Sequence, residues 1–214
     1  MNLNKLKTIQ RKISEKIVLK PFDLKDKSRV AALDISFEGD EGYGVCVVLN
    51  QNMEVIEIYT MKKNISFPYI PGFLAFREMP VMIKLYEKIK KEPDLILIDG
   101  NGTIHPRKCG VAVHFGVSVK KPTIGVAKSL LCGKYIEPQN IKFSTSYVYD
   151  DNGVIIGAAM RTKENAKAIF ISPGNMIDID SSIKTIKKFI SKYRIPDPIR
   201  IAHLESNRLR KTFA

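Results

Sequence analysis

The sequence has no apolar run approaching the ~20 residues that a membrane-spanning helix requires, so no such span is expected in its 214 residues. Cysteine is scarce: Cys46, Cys109 and Cys132 are odd in number, far apart and in no CxxC pair. That argues against both a disulfide framework and a zinc site. The N-terminal stretch MNLNKLKTIQRKISEKIVLK lacks the apolar block and small-residue cleavage site of a signal peptide, so a cytoplasmic chain is expected. Acids are few. Against 35 Lys and Arg stand 22 Asp and Glu, for a net charge of +13 and a pI near 9.6. A polyanionic partner bound through counterion release is one reading of that balance. A Lys-rich solubility or heat-adaptation bias is the other. What tips the choice is any carboxylate set inside so basic a chain, because it must serve something local.

What is present is an ordinary globular composition, 44% hydrophobic and 27% charged, in a length that suits one domain over 1–214. Leu3, Leu6, Ile9, Ile13 and Ile17 recur at helical spacing, predicting an amphipathic N-terminal helix over about 3–18. Three strand-like runs follow a polar link: VAALDISF (30–37), YGVCVVLN (43–50) and MEVIEIYT (53–60). Turns at Glu38 to Gly42 and at Gln51–Asn52 make them an antiparallel meander. The Pro-rich loop SFPYIPGF leads to a helix over roughly 77–91. DLILID (94–99), a buried helix opened by Pro106 (about 106–119) and PTIGVA (122–127) form a strand–helix–strand unit, which implies parallel pairing. Asp151–Asn152–Gly153 marks a hairpin between TSYVYD and GVIIGAAMR, and AIFIS (168–172) adds a strand. Helices at about 181–193 and 197–210 end the order, the second with Asp197 as N-cap. No repeat, linker or low-complexity tract interrupts it. The fold class read from this order is α/β, a ribonuclease H-like fold: a mixed central sheet, three antiparallel strands then parallel ones, flanked by helices.

Alternation puts Leu33, Ile35 and Phe37 on one face of the first strand and Ala32, Asp34 and Ser36 on the other. A lone mid-strand carboxylate is costly unless a cation or donors meet it; the bland alternative is an edge strand with a wet Asp34 face. Asp99 ends the run LILI and precedes Gly100, the place where sheet-borne sites lie, or else it is an ordinary turn acid. Glu78 reads as a helix-start Glu favoured by the dipole. Together the three acids would repel unless a divalent cation lay among them, and oxygen donors make that Mg²⁺ or Mn²⁺. His105 sits beside basic residues in GTIHPRK and suits a phosphate contact. His114, in GVAVHFGV, reads as a satisfied core histidine. His203, one turn into the last helix, suits a ligand or proton carrier, or else plain surface. Tyr69 in PYIP is a rigid aromatic able to insert between bases, or a lid on the core. Lys128, after TIGVA, points near the strand ends and suits a phosphate.

ALDISF, PYIPGFLAFRE, LILIDGNGTIHPRKCGVAVHFGV, PTIGVAKSLL, IIGAAMRT, FISPGN and YRIPDPIRIAH, in this order, closely resemble the endonuclease V family, over about residues 28–207. The resemblance implies Asp34, Glu78 and Asp99 as metal-holding catalytic carboxylates, with His203 and Lys128 catalytic beside them. It implies Tyr69, held between Pro68, Ile70 and Pro71, as a strand-separating wedge, and His105 as a loop histidine at the substrate. It also implies that backbone groups near Gly72, Leu74, Gly100 and Val111 hold the extruded base. The activity implied is a DNA-repair endonuclease that hydrolyses the second phosphodiester 3′ to hypoxanthine with Mg²⁺, Mn²⁺ substituting, leaving 3′-hydroxyl and 5′-phosphate ends. The expected partner is nucleic acid, inosine-containing DNA or RNA, met by a monomer away from membranes. Competing readings are an inosine-specific ribonuclease, another ribonuclease H-like nuclease without hypoxanthine specificity, and a catalytically silent nucleic-acid-binding module. Met79 stands where the family usually has Gly, and Asn101 and Asn175 where it usually has His, so base selectivity is the property these departures touch.

Overall fold

The structure, a computed structural model, describes residues 2–50 and 52–213. Chain order is α1 (Leu3–Ser14), β1 (Val30–Glu38), β2 (Glu41–Leu49), β3 (Val55–Asn64), α2 (Leu74–Glu87), β4 (Leu95–Asp99) and α3 (Val111–Val119). It continues with β5 (Thr123–Ala127), β6 (Thr145–Tyr149), β7 (Ile155–Met160), β8 (Ile169–Asn175), α4 (Ile179–Lys188) and α5 (Asp197–Phe213). The strands form one sheet in the order β3-β2-β1-β4-β5-β8-β7-β6. The meander β1–β2–β3 is antiparallel, and β1–β4 and β4–β5 are parallel. This is the expected mixed sheet. β8, β7 and β6 extend it antiparallel to β5 and to one another.

The strand alternation decides what covers each face. Ala31, Leu33, Ile96 and Ile98 pack with Val81, Met82, Leu85 and Phe115, which come from α2 and α3. Val30, Ala32, Leu95, Leu97, Ile124 and Val126 pack on the opposite face with Ile183, Ile186, Ile199 and Ala202 of α4 and α5. β1 therefore lies inside the sheet, covered on both sides, and the wet edge strand is ruled out for Asp34. Among the described residues no helix is long and apolar enough to cross a membrane.

Several boundaries differ from expectation for identifiable reasons. α1 ends at Ser14, so Ile17 lies beyond the helix. The chain there turns to pair Val18 N–H with Asn175 Oδ1 (3.0 Å) and Val18 C=O with Met176 N–H (2.7 Å), tertiary bonds that outweigh helical spacing. α2 starts at Leu74 rather than about 77 and carries Pro80 inside it. A proline suits a first turn, but burying Ala75 and Arg77 extends the helix a turn earlier. Glu78 is consequently in the second turn, not at the helix start. Pro106 does not open α3: residues 100–110 form a loop pinned to β8, with Gly102 N–H donating to Ser172 Oγ (2.8 Å) and Thr103 N–H to Pro173 C=O (2.9 Å). Asp197 is the first residue of α5 instead of its cap, taking Arg200 Nε at 3.3 Å. The expected turn residue Gln51 lies outside the described residues.

Candidate active site

Register brings the first two acids together. The parallel pairing of β1 with β4 runs from Val30↔Leu95 to Leu33↔Ile98, so the next residue on each strand is a carboxylate, Asp34 on one and Asp99 on the other. Asp99 ends β4, and Asp34 is the residue of β1 just past its parallel pairing with β4, so both lie where strand ends usually place a ligand in such sheets. Helix α5 crosses above β1 and brings His203, whose Nδ1 is 3.3 Å from Asp34 Oδ2 and 3.9 Å from Asp99 Oδ2. One turn on, the Ser206 hydroxyl hydrogen-bonds Asp34 Oδ2. Lys128, just past β5, ion-pairs with Asp99 at 2.7 Å.

One ligand atom each from Asp34, Asp99 and His203 falls within 4.8 Å of the others. His203 Nδ1 is buried and has no hydrogen-bond partner, which leaves that nitrogen free to act as a ligand beside the two carboxylates. Those residues fit a divalent cation. Glu78 stands outside this trio, yet it lines a cleft of about 10 Å³ with Asp34, Asp99, Leu33, Ile35, Met82 and Ile98. Of the three acids expected to hold metal, Asp34 and Asp99 group with His203, and Glu78 meets them only as a lining residue of the cleft. Burial raises the Glu78 carboxyl well above the usual carboxylate range, and the charges of Asp34 and Asp99 push it further. Burial also raises Asp34, against the Ser206 hydrogen bond and with the Asp99 charge. Burial is the first cause of both shifts, and repulsion among the neighbouring carboxylates adds to it.

Beside the carboxylates opens a cavity of about 230 Å³. Its walls include Tyr69, Pro71 and Gly72 from the loop before α2, Leu74 at the start of α2, and Gly100, Asn101, His105 and Val111 around α3's entry. All four positions expected to present backbone to a base, Gly72, Leu74, Gly100 and Val111, line it. Pro68 and Ile70 do not; they flank Tyr69, which is 68% exposed and so is no lid on the core. Gly72 has φ +77, a backbone conformation that side-chain-bearing residues rarely adopt. A Cβ on Gly110 would meet the Asn101 carbonyl oxygen at 2.1 Å, so the loop closes on itself only with glycine there.

The histidine loop departs from expectation. His105 is buried, 4% exposed, and its Nδ1 takes the N–H groups of Arg107 (3.2 Å) and Cys109 (3.4 Å). The proton is therefore on Nε2, which donates to the Gly72 carbonyl at 3.0 Å. Burial pushes His105 down to about 4. At neutral pH it is uncharged, and both ring nitrogens are taken up within the cavity wall, so it brings no positive charge to a phosphate. His114 is buried as expected and meets Phe76 edge-on with ring centroids 5.2 Å apart, but its Nδ1 has no partner, so it is not satisfied. Of the family departures, Met79 packs against the α2 side of the core and Asn175 spans Val18 N–H and the Gly116 carbonyl. Asn101 is at the cavity.

Three contributors escaped the sequence reading. Ser206 is three residues past His203 and thus on the same helical face. Gln10 is 1% exposed within a surface helix; its place between Leu6 and Ile13, in the apolar stripe, was the signal. Arg107 joins Gln10 through Nε to Oε1 at 2.6 Å and reaches the Gly72 carbonyl at 2.7 Å.

A family model described as Endonuclease V matches residues 11–204. The chain belongs to the endonuclease V family. Similar relatives include the Endonuclease V of Thermosipho melanesiensis, 46% identical over 205 residues, covering 96% of this chain and 90% of that one. Among solved structures, Endonuclease V from Streptomyces avermitilis superposes with a TM-score of 0.93 at 31% identity, covering 100% of this chain and 95% of that one. Ciona intestinalis Endonuclease V, in complex with a 24mer DNA containing an inosine followed by a ribo-adenosine, gives 0.86 at 28% identity, with 99% of each chain covered. This endonuclease V family chain is a nuclease, and the catalytically silent module is excluded as a reading of it.

Proposed function

We propose that this nuclease hydrolyses the second phosphodiester 3′ to a hypoxanthine base in DNA, leaving 3′-hydroxyl and 5′-phosphate ends. The observation that carries the reading is adjacency. Asp99, in the carboxylate–histidine group, is followed at once by Gly100, which lines the cavity of about 230 Å³. A base turned out of the helix into that cavity would leave its backbone running past Asp34, Asp99 and Lys128. The position of the cut rests on the family resemblance.

Asp34, Asp99 and His203 would hold Mg²⁺ or Mn²⁺, with Glu78 behind them. Such an ion supplies acidification of an attacking water and stabilisation of charge on the leaving oxygen. Ser206 fixes the Asp34 carboxylate, and Lys128, 43% exposed at its side chain, offers its ammonium to a phosphate. Tyr69 fills the gap left in the stack, and Pro68 and Pro71 keep its loop rigid. Hypoxanthine presents a carbonyl acceptor and a ring N–H where adenine presents an amine and a bare nitrogen, a difference that groups of fixed orientation in the cavity can read. The three unpaired cysteines suit a reducing, cytoplasmic setting.

A second reading is inosine-containing RNA. The Ciona relative's DNA carries a ribonucleotide directly after the inosine, so a 2′-hydroxyl near the site is compatible with the family. Nicking of matched inosine-containing DNA and RNA strands in Mg²⁺ tests both. Cleavage of neither, or equal cleavage of adenine and inosine strands, would sink the hypoxanthine reading.

A further inference from the structure

The polar side chains that line the cavity differ in how far they are already committed. Gln10 is fully engaged: Nε2 donates to the carbonyls of Gly72 (3.0 Å) and Cys109 (3.3 Å), and Oε1 accepts from Arg107. His105 has a partner at each nitrogen. Tyr69 and Ser129 are exposed to water. Asn101 is different. Its Oδ1 is buried with no hydrogen-bond partner, and no other cavity-lining side chain is so placed among the described residues.

The backbone under Asn101 is fixed. Its carbonyl accepts Ala112 N–H at 3.1 Å, Gly110 packs against it, and Asp99 two residues earlier is held in β4. A buried acceptor left unpaired on a rigid support carries a cost that a ligand's donor would remove. Hypoxanthine attached to a sugar has one N–H, at N1. Adenine has a bare nitrogen there.

We propose that Asn101 is a specificity-determining residue, its side-chain amide accepting the N1–H of the extruded hypoxanthine. This rests on the cavity being the base site. It adds a side-chain contact to a pocket otherwise built of backbone and apolar walls, and it makes N1 the position at which this chain tells hypoxanthine from adenine.

The test compares duplexes carrying hypoxanthine, adenine or unsubstituted purine (no O6, no N1–H) at one position. Binding is measured in Ca²⁺ and single-turnover cleavage in Mg²⁺, for wild type, Asn101→Leu and Asn101→Ala. The expected result is a loss of about tenfold on hypoxanthine, with the purine duplex changed less than about twofold, so that the preference between them narrows. The purine duplex also controls for folding, and Asn101→Ala covers the case in which leucine does not fit. A parallel fall on both duplexes, or an unchanged preference, would overturn the assignment and leave Asn101 a packing residue. If wild type itself treats hypoxanthine and adenine alike, the base-site reading fails and takes this proposal with it. Wild-type discrimination retained in full by both variants defeats Asn101 alone.

Discussion

The carbonyl of Gly72 accepts the side-chain amide of Gln10 at 3.0 Å, tying α1 to the loop that carries Tyr69. His105 Nε2 and Arg107 Nη2 donate to the same oxygen, at 3.0 and 2.7 Å. Three donors on one carbonyl hold the cavity wall against the 100–110 loop. Helix α1, exposed along most of its length, thereby becomes part of the cavity wall.

Removing one donor should loosen that wall without touching the carboxylates. Gln10→Ala leaves Arg107 Nε and the Cys109 carbonyl without their partner, a cost of about 1–3 kcal/mol in stability. Affinity for an inosine duplex should fall several-fold, while cleavage at saturating enzyme falls less. Denaturant unfolding together with a binding titration checks this, and unchanged values in both would confine α1 to the periphery.

Asp34→Asn and Asp99→Asn should each abolish cleavage while leaving binding largely intact, because each keeps shape and removes a charge facing the cation position. Binding rests mostly on phosphate contacts by a chain of net charge +13. His203→Ala should slow single-turnover cleavage by roughly 10²-fold. Ser206→Ala, which frees one carboxylate oxygen, should have a smaller effect in the same direction. Near-normal turnover in any of the first three would take that residue out of the catalytic set.

Acid should destabilise the fold through two buried histidines. Burial holds both His105 and His114 at about 4 against an ordinary 6.5. Between those values the unfolded chain binds the protons and the folded chain does not. Stability is therefore fully present above pH 6.5, falls as pH drops toward 4, and levels off below. Each histidine contributes a loss on the order of 3 kcal/mol across that window. His114→Leu should flatten roughly half of the slope, read from denaturant midpoints at pH 7 and pH 4.5. An unchanged slope in that variant would mean His114 gains a partner in solution.

The strand elements were legible because burial on both faces writes itself into apolar runs such as LILID, and Asp34 and Asp99 stood out as charges inside them. Glu78 was legible as a residue but not as a position. The Pro-rich loop SFPYIPGF suggested a helix start near 77, whereas the helix begins at Leu74 and buries Ala75, which puts Glu78 in the second turn. His105 looked basic from its neighbours, and only the fold shows the carbonyl of Gly72, 33 residues away, accepting its Nε2–H. The Ile17 spacing continued a helical pattern that long-range hydrogen bonds to Asn175 and Met176 interrupt. What the sequence withheld was what depends on distant partners: the protonation of a loop histidine, the end of a helix, the orphaned oxygen of Asn101.

Tyr69 bears on how the lesion is found. It is 68% exposed at the rim of the cavity, and a large aromatic held in water by flanking prolines is placed to meet something. Turning a base out of a duplex costs a few kcal/mol, roughly, and leaves a gap that an aromatic ring can fill. Base–aromatic stacking is worth about 1–3 kcal/mol by alanine substitution, so Tyr69→Ala should weaken binding to an inosine duplex roughly ten- to a hundredfold. Asp34, Asp99, Glu78 and His203 are untouched by the change, so cleavage at saturating enzyme should fall much less. Tyr69→Phe should behave nearly as wild type, since the ring and not the hydroxyl does the stacking. Because the ring is exposed, neither variant should shift the unfolding midpoint, which separates lost recognition from lost structure. A titration in Ca²⁺ with single-turnover cleavage in Mg²⁺ decides it: undiminished affinity in Tyr69→Ala would remove the wedge and leave the cavity walls alone to select the base.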